Sequence, residues 1–111
     1  MGVAVIDELR GEIAYAGVGN TVAIVLAHGV AQHLVSFGGI VGQRHNRIHE
    51  LTSPWPRDAM FIAHSDGIAT RWNLAAYPGL TSRHPSLIAG VLYRDFARGR
   101  DDASVLVIKP A

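Results

Sequence analysis

The chain has 111 residues, with 10 basic and 9 acidic side chains, a formal net charge of +1 and no cysteine. This length allows one domain or part of one, and a hydrophobic fraction of 49% is sufficient for a packed core. The balanced charge provides no strong field for nucleic acid or an anionic membrane, so we expect neither as a partner. The lack of cysteine excludes disulfides, thiol nucleophiles and zinc-thiolate sites, so oxygen or imidazole would have to hold any metal.

The amino-terminal stretch is apolar but short, has no basic leader and soon reaches Asp7. These features predict neither a signal peptide nor a membrane-spanning segment. We therefore expect a cytoplasmic protein.

The first part of the chain predicts antiparallel strands joined by tight turns. Four short apolar runs are separated by polar or glycine-containing turns, at residues 3–6, 13–17, 21–27 and 30–36. Consecutive strands with such turns form a meander. Three glycines within residues 37–46 then predict a mobile loop that crosses to another sheet or to another edge.

The middle of the chain contains shorter elements. Residues 47–51 predict another strand, and residues 53–58 predict a turn, because Pro54 and Pro56 cannot donate to the ladder of a central strand. Residues 71–74 predict a helical turn.

The clearest helix is predicted for residues 84–98. Pro85 suits its first turn, Arg94 and Arg98 suit the negative end of the helix dipole, and Gly99 ends it. Apolar residues recur at helical spacing and predict the buried face: Leu87, Ile88, Val91, Leu92, Tyr93 and Phe96. A helix packed on an antiparallel sheet gives an α+β fold class.

An apolar run that ends in a carboxylate is the strongest functional signal. Residues 59–63 are followed by His64, Ser65, Asp66 and Gly67, which predicts a buried strand that delivers Asp66 to a surface cleft. Side-chain alternation places Met60, Ile62, His64 and Asp66 on one face. A second acidic pair, Asp101 and Asp102, precedes a strand predicted within residues 103–109, and we expect the two acidic sites to meet.

Two interpretations of these carboxylates remain open. An unpaired buried charge costs on the order of several kcal/mol, so each carboxylate is exposed, paired or bound to a metal. Oxygen ligands select hard cations such as Mg²⁺ or Mn²⁺. The alternative is that Asp66 caps a turn and that Asp101 pairs with Arg94 or Arg98.

Other polar motifs are interpreted as structural. His45 and His49 have the spacing of a helical zinc site but lack the glutamate of that motif, so surface histidines are expected. His64, Ser65 and Asp66 do not form a catalytic triad, because adjacent strand residues point to opposite faces.

The sequence resembles a known family in four segments. Residues 61–68 and 99–107 resemble the C-terminal half of the SpoIIE-type protein phosphatase domain, within the metal-dependent (PPM) serine/threonine phosphatase superfamily. Residues 14–20 and 54–56 resemble the strand with a glycine corner and the turn before the metal-binding strand. The resemblance implies that residues 1–111 form a single domain, the C-terminal part of such a phosphatase domain, with a partial α-β-β-α sandwich.

The resemblance also implies roles for individual residues. Asp66 and Asp101 match metal-ligating, catalytic aspartates that hold two Mn²⁺ or Mg²⁺ ions, and a water bridging these ions attacks phosphoserine or phosphothreonine. His64, Gly67 and Asp102 are expected beside these ligands. The implied substrate is a phosphorylated regulatory protein of a bacterial sigma-factor pathway, such as a STAS-type anti-anti-sigma factor.

The sequence departs from the family pattern at its beginning. The family's early ligand set, the strands that carry it and a long helix are not found, and Asp7 is not assigned this role. Exposed apolar edges are then expected, and they favour either a homodimer or an unstable chain. The alternative functions are a catalytically inactive fragment or a binding module that holds a sigma-pathway partner, and an unrelated small β-rich domain with salt-bridged aspartates.

Overall fold

The computed structural model describes residues 2–17, 21–34, 50–69, 71–99 and 103–110. These residues form seven strands: β1 Gly2–Asp7, β2 Glu12–Gly17, β3 Val22–Ala27, β4 Val30–Leu34, β5 Glu50–Pro54, β6 Met60–His64 and β7 Val105–Ile108. Two short 3₁₀ turns, Leu74–Ala76 and Leu80–Ser82, precede the helix α1, Pro85–Phe96. The predicted α+β class is confirmed.

The strands form two antiparallel sheets. One has the order β1-β2-β5 and the other has the order β4-β3-β6-β7. The predicted hairpins β1–β2 and β3–β4 are present, but the meander is divided, since β2 pairs with β5 and β3 pairs with β6. Because β4 and β5 belong to different sheets, the predicted crossing is confirmed. The mobile loop predicted there falls in residues 35–49, which lie outside the described residues.

The two sheets and the helix form three layers, and β6 is buried on both faces. Phe61 packs between the sheets, with its ring centroid 6.0 Å from that of Tyr15 on β2. On the opposite face, Ile62 packs against Ile88 and Leu92 of α1. The predicted alternation of side chains within β6 is therefore confirmed, and the structure supplies one helical layer of the expected sandwich.

Two strand ends differ from the prediction. β5 continues to Pro54, where the sequence predicts a turn, and proline is tolerated because β5 lies at the edge of its sheet. β6 ends at His64, so Asp66 does not continue the strand face of Met60 and Ile62. Its main chain turns away because the amide of Ile68 donates to the carbonyl of Ser65 at 3.2 Å.

The helix is shorter than predicted, and fewer of its apolar residues are buried. It ends at Phe96 because Ala97 adopts an extended conformation, with ψ at 132°. Ile88 and Leu92 are completely buried, whereas Leu87 is 49% exposed and Tyr93 is 53% exposed. Within the described parts of the chain, no helix has the length and apolar character needed to cross a membrane.

These exposures predict different effects of the same substitution within α1. Leu92→Ala should lower the free energy of unfolding by about 2–5 kcal/mol, because it leaves a cavity under β6. Leu87→Ala should lower it by less than about 1 kcal/mol. Urea unfolding followed by circular dichroism measures both, and equal losses would contradict the layer arrangement.

Candidate functional site

A tight turn follows β6 and contains Asp66. The turn is closed by the hydrogen bond between the Ile68 amide and the Ser65 carbonyl. Asp66 is exposed, while Gly67 beside it is buried. The buried central strand thus brings a carboxylate to the protein surface.

The start of β7 lies directly beside this turn. His64 pairs with Val105, and the Ser65 amide donates to the Ser104 carbonyl at 3.1 Å. In return, the Ser104 amide donates to Ser65 Oγ at 3.0 Å. The end of β6 therefore meets the residues that precede β7, as expected from the sequence. Asp101 and Asp102, three and two positions before Ser104 in the sequence, lie outside the described residues, so the meeting of the carboxylates is still a prediction.

The chain after α1 holds the other side of the turn. The Arg98 amide donates to the Gly67 carbonyl at 2.8 Å, and the Ala69 amide donates to the Phe96 carbonyl at 2.8 Å. Ile68 bridges to Ala97 and is completely buried. The turn that carries Asp66 is therefore fixed from both β7 and the end of α1.

His64 lies at the base of this turn and is 2% exposed. Its Nδ1 atom lies 2.9 Å from the Ser65 carbonyl oxygen. Its Nε2 atom accepts a hydrogen bond of 3.0 Å from the indole N–H of Trp72. Both ring nitrogens thus bond to groups of the protein, and the sequence contained no signal for the contact with Trp72.

Arg94, one of the arginines considered as a partner of Asp101, pairs with Asp95 among the described residues. Arg94 Nε donates to Asp95 Oδ1 at 2.7 Å, and the hydroxyl of Tyr77 donates to Asp95 Oδ2 at 2.6 Å. The Arg94 guanidinium, followed by the Tyr77 hydroxyl, lowers the pKa of Asp95 from 3.8 to about 2. This network ties the segment before α1 to the helix, and sequence analysis did not predict it. Arg100 lies outside the described residues.

A cleft of about 850 Å³ opens on the face of the four-stranded sheet that also packs against α1. Leu26, Met60 and Leu74 supply apolar walls, and Arg57 and Lys109 supply positive charge. Asp66 does not line this cleft, which differs from the cleft expected at the acid, whereas Trp72 does line it. Widely separated segments form the cleft, so no local pattern in the sequence predicts it.

The donor chemistry of the turn suits a hard cation. A carboxylate oxygen is the ligand type that Mn²⁺ and Mg²⁺ prefer, and Asp66 presents one at the surface. Among the residues that the structure describes, no group of three or more histidine, cysteine, aspartate or glutamate side chains could hold a metal. Asp101, the second predicted ligand, is outside that set.

The fold and the turn define an antiparallel α+β sandwich with an acidic site at the end of a central strand. No protein family matches the sequence, and no curated protein matches it. A solved chain from a study of the bacterial stressosome, described as a modular system adapted to control secondary messenger signalling, matches with a TM-score of 0.80 and 20% identity.

Two further matches are structures of the phosphatase domain of the cell fate determinant SpoIIE from Bacillus subtilis. Their TM-scores are 0.70 and 0.69, both at 18% identity, and the second structure was presoaked with Mn. The matches cover 96%, 99% and 98% of this chain but 56%, 54% and 55% of the solved chains. The chain thus has the fold of these domains and spans slightly more than half their length.

The Asp95 network predicts a loss of stability in acid. Because folding lowers the pKa of Asp95, its carboxylate stabilises the folded state above pH 4, and this contribution is lost as the pH falls from about 4 to about 2. Asp95→Asn should therefore lose less stability than the wild type between pH 5 and pH 2, as measured by the urea midpoint. Tyr77→Phe should give an intermediate loss. Identical pH profiles for wild type and Asp95→Asn would contradict this assignment.

Proposed function

We propose that this chain is part of a metal-dependent protein serine/threonine phosphatase domain of the SpoIIE-like kind. The observation that carries the proposal is the position of Asp66, exposed on a turn that two neighbouring elements fix at the end of the central strand. The likeness of the fold to the SpoIIE phosphatase domain, over nearly the whole of this chain, supports it.

In this proposal Asp66 and Asp101 are the ligands that this chain contributes to a pair of Mn²⁺ or Mg²⁺ ions. Such ions lower the pKa of bound water and neutralise charge on a transferring phosphoryl group. The chain's own task is to hold the Asp66 carboxylate at a fixed position. The serine pair Ser65 and Ser104 does so from the side of β7, and the Arg98 amide does so from the side of α1.

The proposed substrate is a phosphoserine or phosphothreonine on a cytoplasmic regulatory protein of a bacterial sigma-factor pathway, such as a STAS-type anti-anti-sigma factor. The family resemblance of the motif around Asp66 supports this class. The fold neighbours come from studies of a cell fate determinant and of the bacterial stressosome, which is described as a system adapted to control secondary messenger signalling. The chain covers 54% of the matched phosphatase domain, so the proposed activity belongs to the complete domain.

A second candidate function is a binding module that holds a signalling partner without turnover. The observation that favours it is that, among the described residues, no group of three or more histidine, cysteine, aspartate or glutamate side chains could hold a metal, and a shared fold does not carry an activity with it. In this case the packed core around β6 has only a structural role, and the surface of the domain binds the partner. Metal binding separates the two candidates, because a module of this kind needs no cation.

The phosphatase proposal predicts that Asp66 and Asp101 are needed for metal binding. Asp66→Asn and Asp101→Asn should each weaken Mn²⁺ binding by at least about tenfold, because each removes an anionic ligand. Hydrolysis of an aryl phosphate should fall in parallel. The Tm should change little for Asp66→Asn, because this residue is exposed on a turn. Isothermal titration calorimetry with Mn²⁺ and a colorimetric phosphatase assay measure both properties.

Asp58→Asn is the matched control. Asp58 is also an exposed aspartate on a turn, but this turn precedes β6, and its carboxylate accepts a hydrogen bond from the His28 amide at 2.8 Å. This variant should bind Mn²⁺ as the wild type does. Equal affinity of Asp66→Asn and wild type would remove Asp66 from the site, and a folded wild-type chain that binds no Mn²⁺ would favour a catalytically inactive fragment or the binding module.

A further inference from the structure

The hydrogen bonds of His64 select one tautomer of its ring. The Ser65 carbonyl oxygen can only accept, so Nδ1 must carry a proton and donate to it. The Trp72 indole N–H can only donate, so Nε2 must accept with its lone pair. The two partners therefore assign the proton to Nδ1.

Trp72 has a fixed position relative to β6. The next residue, Asn73, caps a 3₁₀ turn by accepting from the Ala75 amide at 3.0 Å. Leu74 is 6% exposed and packs in the same apolar cluster as Met60 and Ile62 of β6. The indole meets the imidazole in a T-shaped contact, with ring centroids 5.9 Å apart. The donor to Nε2 is thus anchored in the core.

The other partner of His64 is the carbonyl that begins the Asp66 turn. The Ser65 oxygen accepts from both the His64 Nδ1–H group and the Ile68 amide. A carbonyl oxygen has two lone pairs and can accept both hydrogen bonds. His64 therefore supplies one of the hydrogen bonds that orient the Ser65 carbonyl, and with it the peptide unit joining Ser65 to Asp66.

We propose that His64 is a positioning residue for Asp66. With its proton on Nδ1 and Trp72 on Nε2, it holds the Ser65 carbonyl and thereby the turn that presents the Asp66 carboxylate. The proposal rests on the proposed function for the role of Asp66, but the geometry of the turn does not depend on it. A phenylalanine would fill the same space, yet it would leave the Ser65 carbonyl with one bond fewer and the Trp72 indole without its acceptor.

The first test uses the wild-type chain. Long-range ¹H–¹⁵N correlation spectra of the histidine rings distinguish the two tautomers, and the signal of His64 is assigned by its disappearance in His64→Phe. We expect a protonated Nδ1 and an unprotonated Nε2. A proton on Nε2 would overturn the proposal without the need for any stable variant.

The second test measures hydrogen exchange of single amides in variants. The Ile68 amide reports on the turn, and the Trp55 amide, which donates to the Gly11 carbonyl at 2.7 Å, reports on the other side of the molecule. In His64→Phe, the protection of Ile68 relative to Trp55 should fall roughly three- to tenfold, the loss expected for one hydrogen bond. An unchanged ratio, with or without a global loss of stability, would show that His64 only fills space.

Two variants separate the donor role from the loss of a histidine. His64→Asn places an amide N–H near the position of Nδ1 and should retain most of the protection of Ile68. His33→Phe makes the same change as His64→Phe at an exposed site on β4 and should leave the ratio unchanged. If His64→Asn lost as much protection as His64→Phe, the bond to the Ser65 carbonyl would not be the cause, and the proposal would fail.

Mn²⁺ titration of the same variants connects the turn to the site. If the wild-type chain binds Mn²⁺, His64→Phe should weaken binding at least threefold, and His64→Asn should weaken it less. Equal affinities of His64→Phe and wild type would overturn the positioning role. If the wild-type chain binds no Mn²⁺, the proposed function fails, and the tautomer and exchange results still decide whether His64 holds the turn.

Discussion

The burial of β6 on both faces is the constraint on which the rest of this structure depends. Phe61 needs the three-stranded sheet on one side, and Ile62 needs α1 on the other, so neither the sheet nor the helix can be removed without exposing the strand. Its neighbours β3 and β7 satisfy its backbone on both edges. Because packing fixes both faces of β6 and strand pairing fixes both edges, the end of the strand has a fixed position. The turn that contains Asp66 begins at that end.

The sequence predicted the elements whose pattern is local. The continuous apolar run at residues 59–63 was enough to predict a buried strand, and Gly11 and Gly29 marked two hairpin turns with φ values of +63° and +75°. The turn predicted at Pro54 was wrong. A strand tolerates proline when it lies at the edge of a sheet, and which strands are edges depends on pairing between distant residues.

Contacts between distant residues account for most of what sequence analysis missed. The six apolar positions of the helix form a wide stripe, but packing on β7 and β6 buries only Ile88 and Leu92 completely. Trp72 and His64 are eight positions apart, and Tyr77 and Asp95 are 18 apart, so neither hydrogen bond follows from helix or strand periodicity. The sequence shows which residue types are present, but only the fold shows which of them form hydrogen bonds with one another.

The fold by itself does not carry a function, since one fold supports many activities. What distinguishes an acid built for chemistry from an acid on an ordinary turn is how firmly its position is held. The peptide groups around Asp66 bond to Ser104 before β7, to Arg98 after α1 and to the ring of His64. An exposed aspartate that only terminates a strand needs none of these three supports. Their convergence on one turn fixes the main chain on either side of Asp66, and this is the physical argument that supports the proposed role of its carboxylate.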